Sequence, residues 1–333
     1  MTAWKSWWED KVTVYRSLDE VPADFGPSAL TIGNFDGVHL GHRKILRRVV
    51  EMAGQHGWKP SVLTFDPHPT RIVAPERAPA LLTSPVRRTE LMSDEGIEQV
   101  LILPFTSEVA HLSPEEFARQ LLVAKLGVRI VLVGQNFHFG YRQSGDVKVL
   151  AELGAKFGFN TEVIPPVTCR GRVASSSVIR QAIQAGRVAL AARLLQHPYG
   201  LEGEVVKGHG VGSKQTVPTL NLATEAEVVP ARGVYVTRTW DLDNRRGWNS
   251  ITNAGYRPTF GGDDQLSIET FLLEPLQGET PHRIRVDFLC RVRDERKFET
   301  PEALKAQILK DVGVAQRYFR RARTWIERPL ARA

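Results

Sequence analysis

Up to about residue 196, short and nearly continuous apolar runs alternate with stretches whose apolar residues recur at helical spacing. The runs at 28–32, 61–65, 97–103, 129–134 and 160–164 read as strands, and 41–53, 115–126 and 147–157 as helices. Strands apolar on both faces, alternating with helices, predict a parallel sheet covered on both sides, with ligands at the C-terminal strand ends. The three most unusual loops here, after Ile32, Phe65 and Val133, begin at such ends. The segment 175–193 reads as one or two short helices, punctuated by Gly186 and ended by His197-Pro198.

Beyond Tyr199 the texture changes. The runs at 200–206, 233–240, 248–253, 267–273 and 283–289 alternate apolar and polar residues, with turn signals such as Asp243-Asn244 and Gly261-Gly262-Asp263 between them. Evenly spaced, half-buried strands predict a small antiparallel barrel. One helix from Pro301 to about Ile326 closes the chain, with Thr300 as N-cap and Pro301 at its first position. The expected boundary lies near His197, between an α/β domain over 12–196 and a β domain over 199–330.

Composition narrows the class without choosing a function. A chain of 333 residues favours two cores over one, and 42% apolar with 24% charged residues is ordinary for a globular protein. No apolar run approaches the ~18 residues of a membrane span, and the first ten residues lack the apolar stretch of a signal peptide. Cys169 and Cys290, far apart and alone, form neither a disulfide framework nor a metal-type pair, so a reducing, cytoplasmic home is expected. A net charge of +7, spread along the chain, points to phosphate-rich ligands.

The loop after Ile32 carries the first chemistry. Gly33, Gly37 and Gly41 lack side chains, so phosphate oxygens can approach the backbone, and the helix that follows turns its positive end to the same place. Asp36 stands within this loop. His39 and His42, three apart at the helix entry, can stabilise charge on a phosphorus as imidazolium or as neutral donors; alternatively His-x-x-His is a packed pair or part of a metal site. His68, between two prolines, suits a phosphate or a flat ring, or is a plain turn. Asn136 with Phe137 and Phe139 offers an amide beside aromatic faces for a heterocycle, although both rings can equally be core. Ser175, Ser176 and Ser177 supply hydroxyls at a helix start with Arg180 one turn on, in reach of a triphosphate, or form an ordinary cap.

The barrel carries a second set. Gly208, Gly210 and Gly212 form a loop followed by Lys214 and Pro218-Thr219-Leu220-Asn221, in which Thr219 and Asn221 share one face and suit a magnesium–nucleotide complex. Glu269, a carboxylate inside an apolar strand, reads as a general base for a hydroxyl substrate or as a polar-face position.

The ordered motifs GNFDGVHLGH (33–42), TFDPHP (64–69), GQNFHFG (134–140) and SSSVIR (175–180) resemble the FMN adenylyltransferase module of bacterial bifunctional riboflavin kinase/FAD synthetases. The segments 218–221, 253–261 and 267–271 resemble the riboflavin kinase module of the same enzymes, so the resemblance spans roughly residues 12–325. It implies a Rossmann-like nucleotidyltransferase domain and a kinase β-barrel that use ATP and magnesium to convert riboflavin to FMN and FMN to FAD. It carries over His39, His42 and Ser175 to Arg180 as ATP-site residues, Thr219 and Asn221 as magnesium–ATP ligands, Glu269 as base, and Arg293 as part of a flap near the flavin. The chain departs from the pattern at 213–217, where an Arg-containing loop and Gly-Phe are usual, at Gln135 and Asn136, where acidic residues are commoner, and at Ser177, usually Thr. Small molecules are the expected partners, with neither nucleic acid nor membrane. Rival readings are a nucleotidyltransferase for another phosphate ester, and an RNA-binding protein prompted by the charge and by Trp4, Trp7 and Trp8.

Overall fold

Five consecutive buried residues in β2 (Ser28–Ile32) show why the first half of the chain reads as continuously apolar. Its sheet also contains β1 (Thr13–Tyr15), β3 (Lys59–Asp66), β4 (Gln99–Pro104), β5 (Val128–Gly134) and β6 (Asn160–Ile164), all parallel, in the order β1-β4-β3-β2-β5-β6. Alternate residues feed two cores. Leu30, Leu63, Leu101 and Val131 enter the one on the first face, and Ala29, Val62, Val100 and Ile130 the one on the other. The helices are α1 (Leu40–His56), α2 (Pro69–Val73), α3 (Pro85–Ser93), α4 (Ser107–His111), α5 (Pro114–Glu116), which continues as a π-helical stretch (Phe117–Lys125), and α6 (Val147–Phe157). A small hairpin, β7 (Thr168–Cys169) and β8 (Arg172–Val173), follows the sheet.

The strand order reverses between β2 and β5, and the open crevice of such a sheet lies above that reversal. The Gly33 loop leaves β2, the Asn136 loop leaves β5, and the His68 loop leaves the adjacent β3. Topology alone therefore brings three of the sequence motifs to one crevice.

The computed structural model describes residues 11–206, 219–258 and 264–326, and it divides into two units, Met1–Ser176 and Ser177–Ala333. The texture of the sequence changes later, at His197–Tyr199, because α7 (Ser176–Gln184) and α8 (Val188–Leu195) are helical in pattern while α8 packs on the barrel. That barrel is closed and antiparallel: β10 (Thr219–Ala223), β13 (Asp264–Leu272), β12 (Gly247–Pro258), β11 (Gly233–Asp241), β14 (Arg283–Arg293) and β9 (Tyr199–Val206) pair in that order, and β9 returns to β10. The last helix, α9 (Pro301–Ile326), is capped by Thr300, whose Oγ1 accepts from the Ala303 N–H at 3.2 Å, and it lays Ala315 and Phe319 against Val234, Val236 and Ile251.

One expectation from alternation is overturned inside the barrel. Thr237, Thr239, Ser250, Thr252 and Thr270 are fully buried there, linked hydroxyl to hydroxyl at 2.7–2.9 Å. Each hydroxyl meets the others' hydrogen-bonding need, so polar residues sit where the pattern expected apolar ones.

Candidate functional site

His39 is the N-cap of α1. The amide N–H groups of Gly41 and His42 donate to its Nδ1 at 3.1 and 3.4 Å. An imidazole that accepts at Nδ1 carries its proton on Nε2, so His39 offers an N–H donor while neutral. Gly41 leaves room for this fold-back, since a Cβ at that position would lie 3.1 Å from the His39 ring. The His42 ring stacks on His39, with centroids 3.6 Å apart and an interplanar angle of 18°. Nearly parallel ring planes cannot both contain one ion, which argues against the metal-site alternative. Burial pushes the His39 imidazole down to about 4, and burial followed by the neighbouring His39 and Arg88 holds His42 well below the ordinary histidine value. Burial thus favours the neutral, donor-capable form of both rings.

This makes a stability prediction. A histidine whose folded-state value lies below the unfolded 6.5 stabilises the fold above that pH, and the contribution is lost as pH falls through about 4. Between pH 7 and 5 this costs about 2 kcal/mol from His39 alone. His39→Asn keeps an N-cap oxygen but cannot titrate, so it should remove that share of the acid destabilisation in denaturant unfolding at the two pH values. An unchanged pH dependence would remove His39 as its source.

The glycines act otherwise than the sequence suggests. The N–H of Gly33 donates to the Leu63 carbonyl at 3.1 Å, that of Gly37 to Thr83 Oγ1 at 3.0 Å, and that of Gly41 to His39. Their amides are thus engaged within the protein, and the glycines serve loop shape, with Gly37 at φ 81°. Asp36 is 2% exposed and its Oδ1 accepts from the amides of Leu82 and Thr83 at 2.9 and 3.1 Å, so its carboxylate braces the loop from behind. Ser176 Oγ donates to the Asp36 carbonyl at 2.9 Å, tying the start of α7 to the same loop. Ser177 and Arg180 follow on α7.

Beside this loop lies a cavity of about 720 Å³, the size of a small-molecule site. Gly33 and Asn34 form one part of its wall, and Phe65, Phe105, Phe137 and Phe139 supply aromatic faces. The Phe137 and Phe139 rings stack at 5.5 Å, and Phe139, 7% exposed, also packs on Phe117; it is at once core and cavity wall. Asn136 lines the cavity from an exposed position. His68 is not part of the wall. Its Nδ1 accepts from the Thr70 N–H at 3.2 Å as the N-cap of α2, and its Nε2 lies 2.9 Å from the Asn34 amide nitrogen. Asn34, which sequence reading passed over, is the residue that His68 orients. The outer wall adds His111 and Tyr141, stacked at 5.0 Å; nothing in their sequence spacing signals this pairing.

In the barrel, cross-strand register places Asn221, Glu269 and Asn253 side by side on β10, β13 and β12. Thr270 points inward to Thr252, so alternation turns Glu269 outward, where it is half-buried and its Oε1 accepts from Ser267 Oγ at 3.1 Å. Thr219 lies two residues from Asn221 on the same face. Arg293 is held elsewhere: its guanidinium pairs with Asp311 of α9 at 2.7 Å, both side chains largely buried, so it fastens the last helix to β14. The predicted loop residues Gly208, Gly210, Gly212 and Lys214, the turn at 261–263 and the tryptophans at 4, 7 and 8 lie outside the described residues.

Comparison with known proteins assigns both halves. Residues 21–178 match the FAD synthetase family and residues 195–319 the riboflavin kinase family. The bifunctional riboflavin kinase/FMN adenylyltransferase of Pseudomonas fluorescens is 36% identical over 90% of this chain and 96% of its own length. Its counterpart in Escherichia coli K12 is 34% identical over 87% of this chain and 92% of its own. A crystal structure described as a macrolide-efflux protein from Streptococcus pneumoniae superposes with a TM-score of 0.81 at 27% identity, covering 92% of this chain and 99% of that one. Among the described residues, no helix of this chain is long and apolar enough to cross a membrane. The chain belongs to the bifunctional riboflavin kinase/FMN adenylyltransferase family.

Proposed function

We propose that the C-terminal unit phosphorylates riboflavin to FMN and that the N-terminal unit adenylylates FMN to FAD with release of pyrophosphate. The observation that carries this reading is the aromatic-walled cavity opening at Gly33 and Asn34, the start of the loop that seats His39 and His42. A flavin ring suits the phenylalanine walls, and its phosphate end suits the loop. There an FMN phosphate oxygen attacks the α-phosphorus of ATP, and the bond to the β-phosphate oxygen breaks. His39 Nε2–H and the His42 ring donate to oxygens on which charge builds, and neutral donors already in place need no reorganisation. The guanidinium of Arg180 suits triphosphate oxygens, in keeping with the SSSVIR motif that carries it. No side-chain nucleophile is needed.

In the barrel, Glu269 takes the proton of the riboflavin ribityl 5′-hydroxyl while that oxygen attacks the γ-phosphorus of ATP, and ADP leaves. Asn221 and Asn253 stand in register on either side of Glu269, placed to orient the sugar. Thr219 and Asn221 offer hard oxygen donors on one face, which fits a magnesium ion; when bound, it supplies neutralisation of phosphate charge. The substrates are small molecules, with no nucleic acid, and the free thiols of Cys169 and Cys290 suit a reducing cytoplasm.

The deciding experiment incubates the purified protein with ATP, magnesium and either riboflavin or FMN, then separates the flavins by chromatography. FMN and FAD are expected from riboflavin, and FAD from FMN. FMN alone would remove adenylyl transfer; neither product would remove the scheme.

A further inference from the structure

Beneath the glycine loop lies a buried cation that no motif singled out. Arg88, on α3, is 3% exposed. Its Nη1 makes only long contacts, to Thr64 Oγ1 at 3.4 Å and the Phe65 carbonyl at 3.5 Å, and its Nε has no partner. The carboxylates of Asp36 and Asp66 favour its charge against burial, yet a guanidinium so sparsely hydrogen-bonded costs stability, and a position that keeps one calls for an explanation. The explanation lies in what it touches. Thr64 Oγ1 in turn donates to the Asn34 carbonyl at 3.4 Å, so Arg88 reaches the glycine loop through one hydroxyl. Six and five residues upstream, Leu82 and Thr83 hold Asp36 and Gly37 of the same loop.

The loop needs such a brace. Phe35 and Val38 have positive φ values of 50° and 40°, although both carry a Cβ, and both are buried. Backbone in this region persists only where its surroundings over-determine it. The surroundings here are the 82–88 segment on one side and His39, folded back over Gly41, on the other.

We propose that Arg88 is a positioning residue for adenylyl transfer: from beneath the loop it holds Asn34 and the histidine pair in register and keeps a fixed positive charge behind the phosphate site. It does not touch substrate, being buried and outside the cavity wall. Its nearness to His42 is also seen in its share of the depression of that ring's basicity, after burial and His39. A unit charge acting over several ångströms at an effective dielectric of about 20 changes a rate about 10- to 100-fold.

This rests on the adenylyl-transfer reading of the N-terminal unit. The test uses the full chain with Arg88→Met and Arg88→Lys. With FMN and ATP, the Met variant should lose about 10- to 100-fold in kcat, a larger change than in the KM for FMN, because residue 88 does not itself line the cavity and acts on it only through Asn34. The Lys variant should recover most of the kcat, and riboflavin phosphorylation should stay at the wild-type rate in both. A Met variant with wild-type kcat overturns the proposal, as does a Lys variant as slow as Met, or as slow as the two histidine variants, with its kinase intact. Hydrogen exchange gives a readout independent of turnover: amides of residues 33–42 should lose protection in the Met variant while β3 and β4 keep theirs. If wild-type protein forms no FAD, the functional reading fails, and the exchange result alone decides the brace; unaltered loop protection overturns it. Should the Met variant not fold, the Lys variant still decides, since loss of its adenylyl transfer with a protected loop contradicts a charge-based role.

Discussion

Replacing His39 and His42 together with alanine should abolish FAD formation while leaving FMN formation from riboflavin at the wild-type rate. On the proposed reading each ring supplies a donor to a phosphoryl oxygen, and removing one such donor costs about 10²–10³ in kcat. The two losses should not add fully, because the rings act as a stacked unit with centroids 3.6 Å apart. His39→Ala also removes the N-cap of α1, at about 1 kcal/mol. The single variants separate the two effects: His39→Asn restores the cap without restoring the Nε2–H donor, so it should be stable yet slow. Chromatographic assay with FMN and with riboflavin as alternative substrates reads both activities from one preparation. Adenylyl transfer surviving in the double variant would remove the histidines from the mechanism.

Glu269→Gln should have the mirror-image effect. A general base contributes about 10²–10⁴ to a rate, and glutamine keeps the size and hydrogen-bonding reach of the side chain while losing the proton acceptor. Asn221 and Asn253 flank it in register, so the amide stays housed and the barrel stays folded. Riboflavin phosphorylation should fall by about that factor, and FAD formation from supplied FMN should persist. Retained phosphorylation would show that the γ-phosphoryl transfer proceeds without Glu269.

Read together, the two variants make a complementation pair. Neither alone should yield FAD from riboflavin, whereas a mixture should, because FMN released by the histidine variant is a substrate for the glutamine variant. The difference between the paired and the wild-type rate measures what is lost when FMN must leave one chain and enter another.

Much of the architecture was legible because it rests on local periodicity. The strands at 28–32 and 160–164 and the helices at 147–157 and 301–326 begin and end where their apolar patterns do. Parallel pairing followed from strands apolar on both faces, and the crevice from the loops at their C-terminal ends. Short elements were missed. Strand β1 has three residues and α2 has five, too few to establish a period, and α2 exists because His68 and Pro69 start it.

The sequence by itself determined which residue types stand in which order, and hence the family and the two modules, and it singled out the histidines and carboxylate proposed to serve them. Tertiary structure alone decided what those residues are free to do. It turned Asp36 inward, gave His68 to Asn34 rather than to the cavity, committed Arg293 to Asp311, and favoured the neutral form of both imidazoles by burying them. It also set Arg88 beneath the loop, 46 residues on from His42 in the chain, so that no spacing could reveal it. The physical reason is the same in each case. Motif spacing encodes what a residue is, but hydrogen-bond partner, burial and field depend on segments distant in sequence, and these are fixed only when the sheet brings them together.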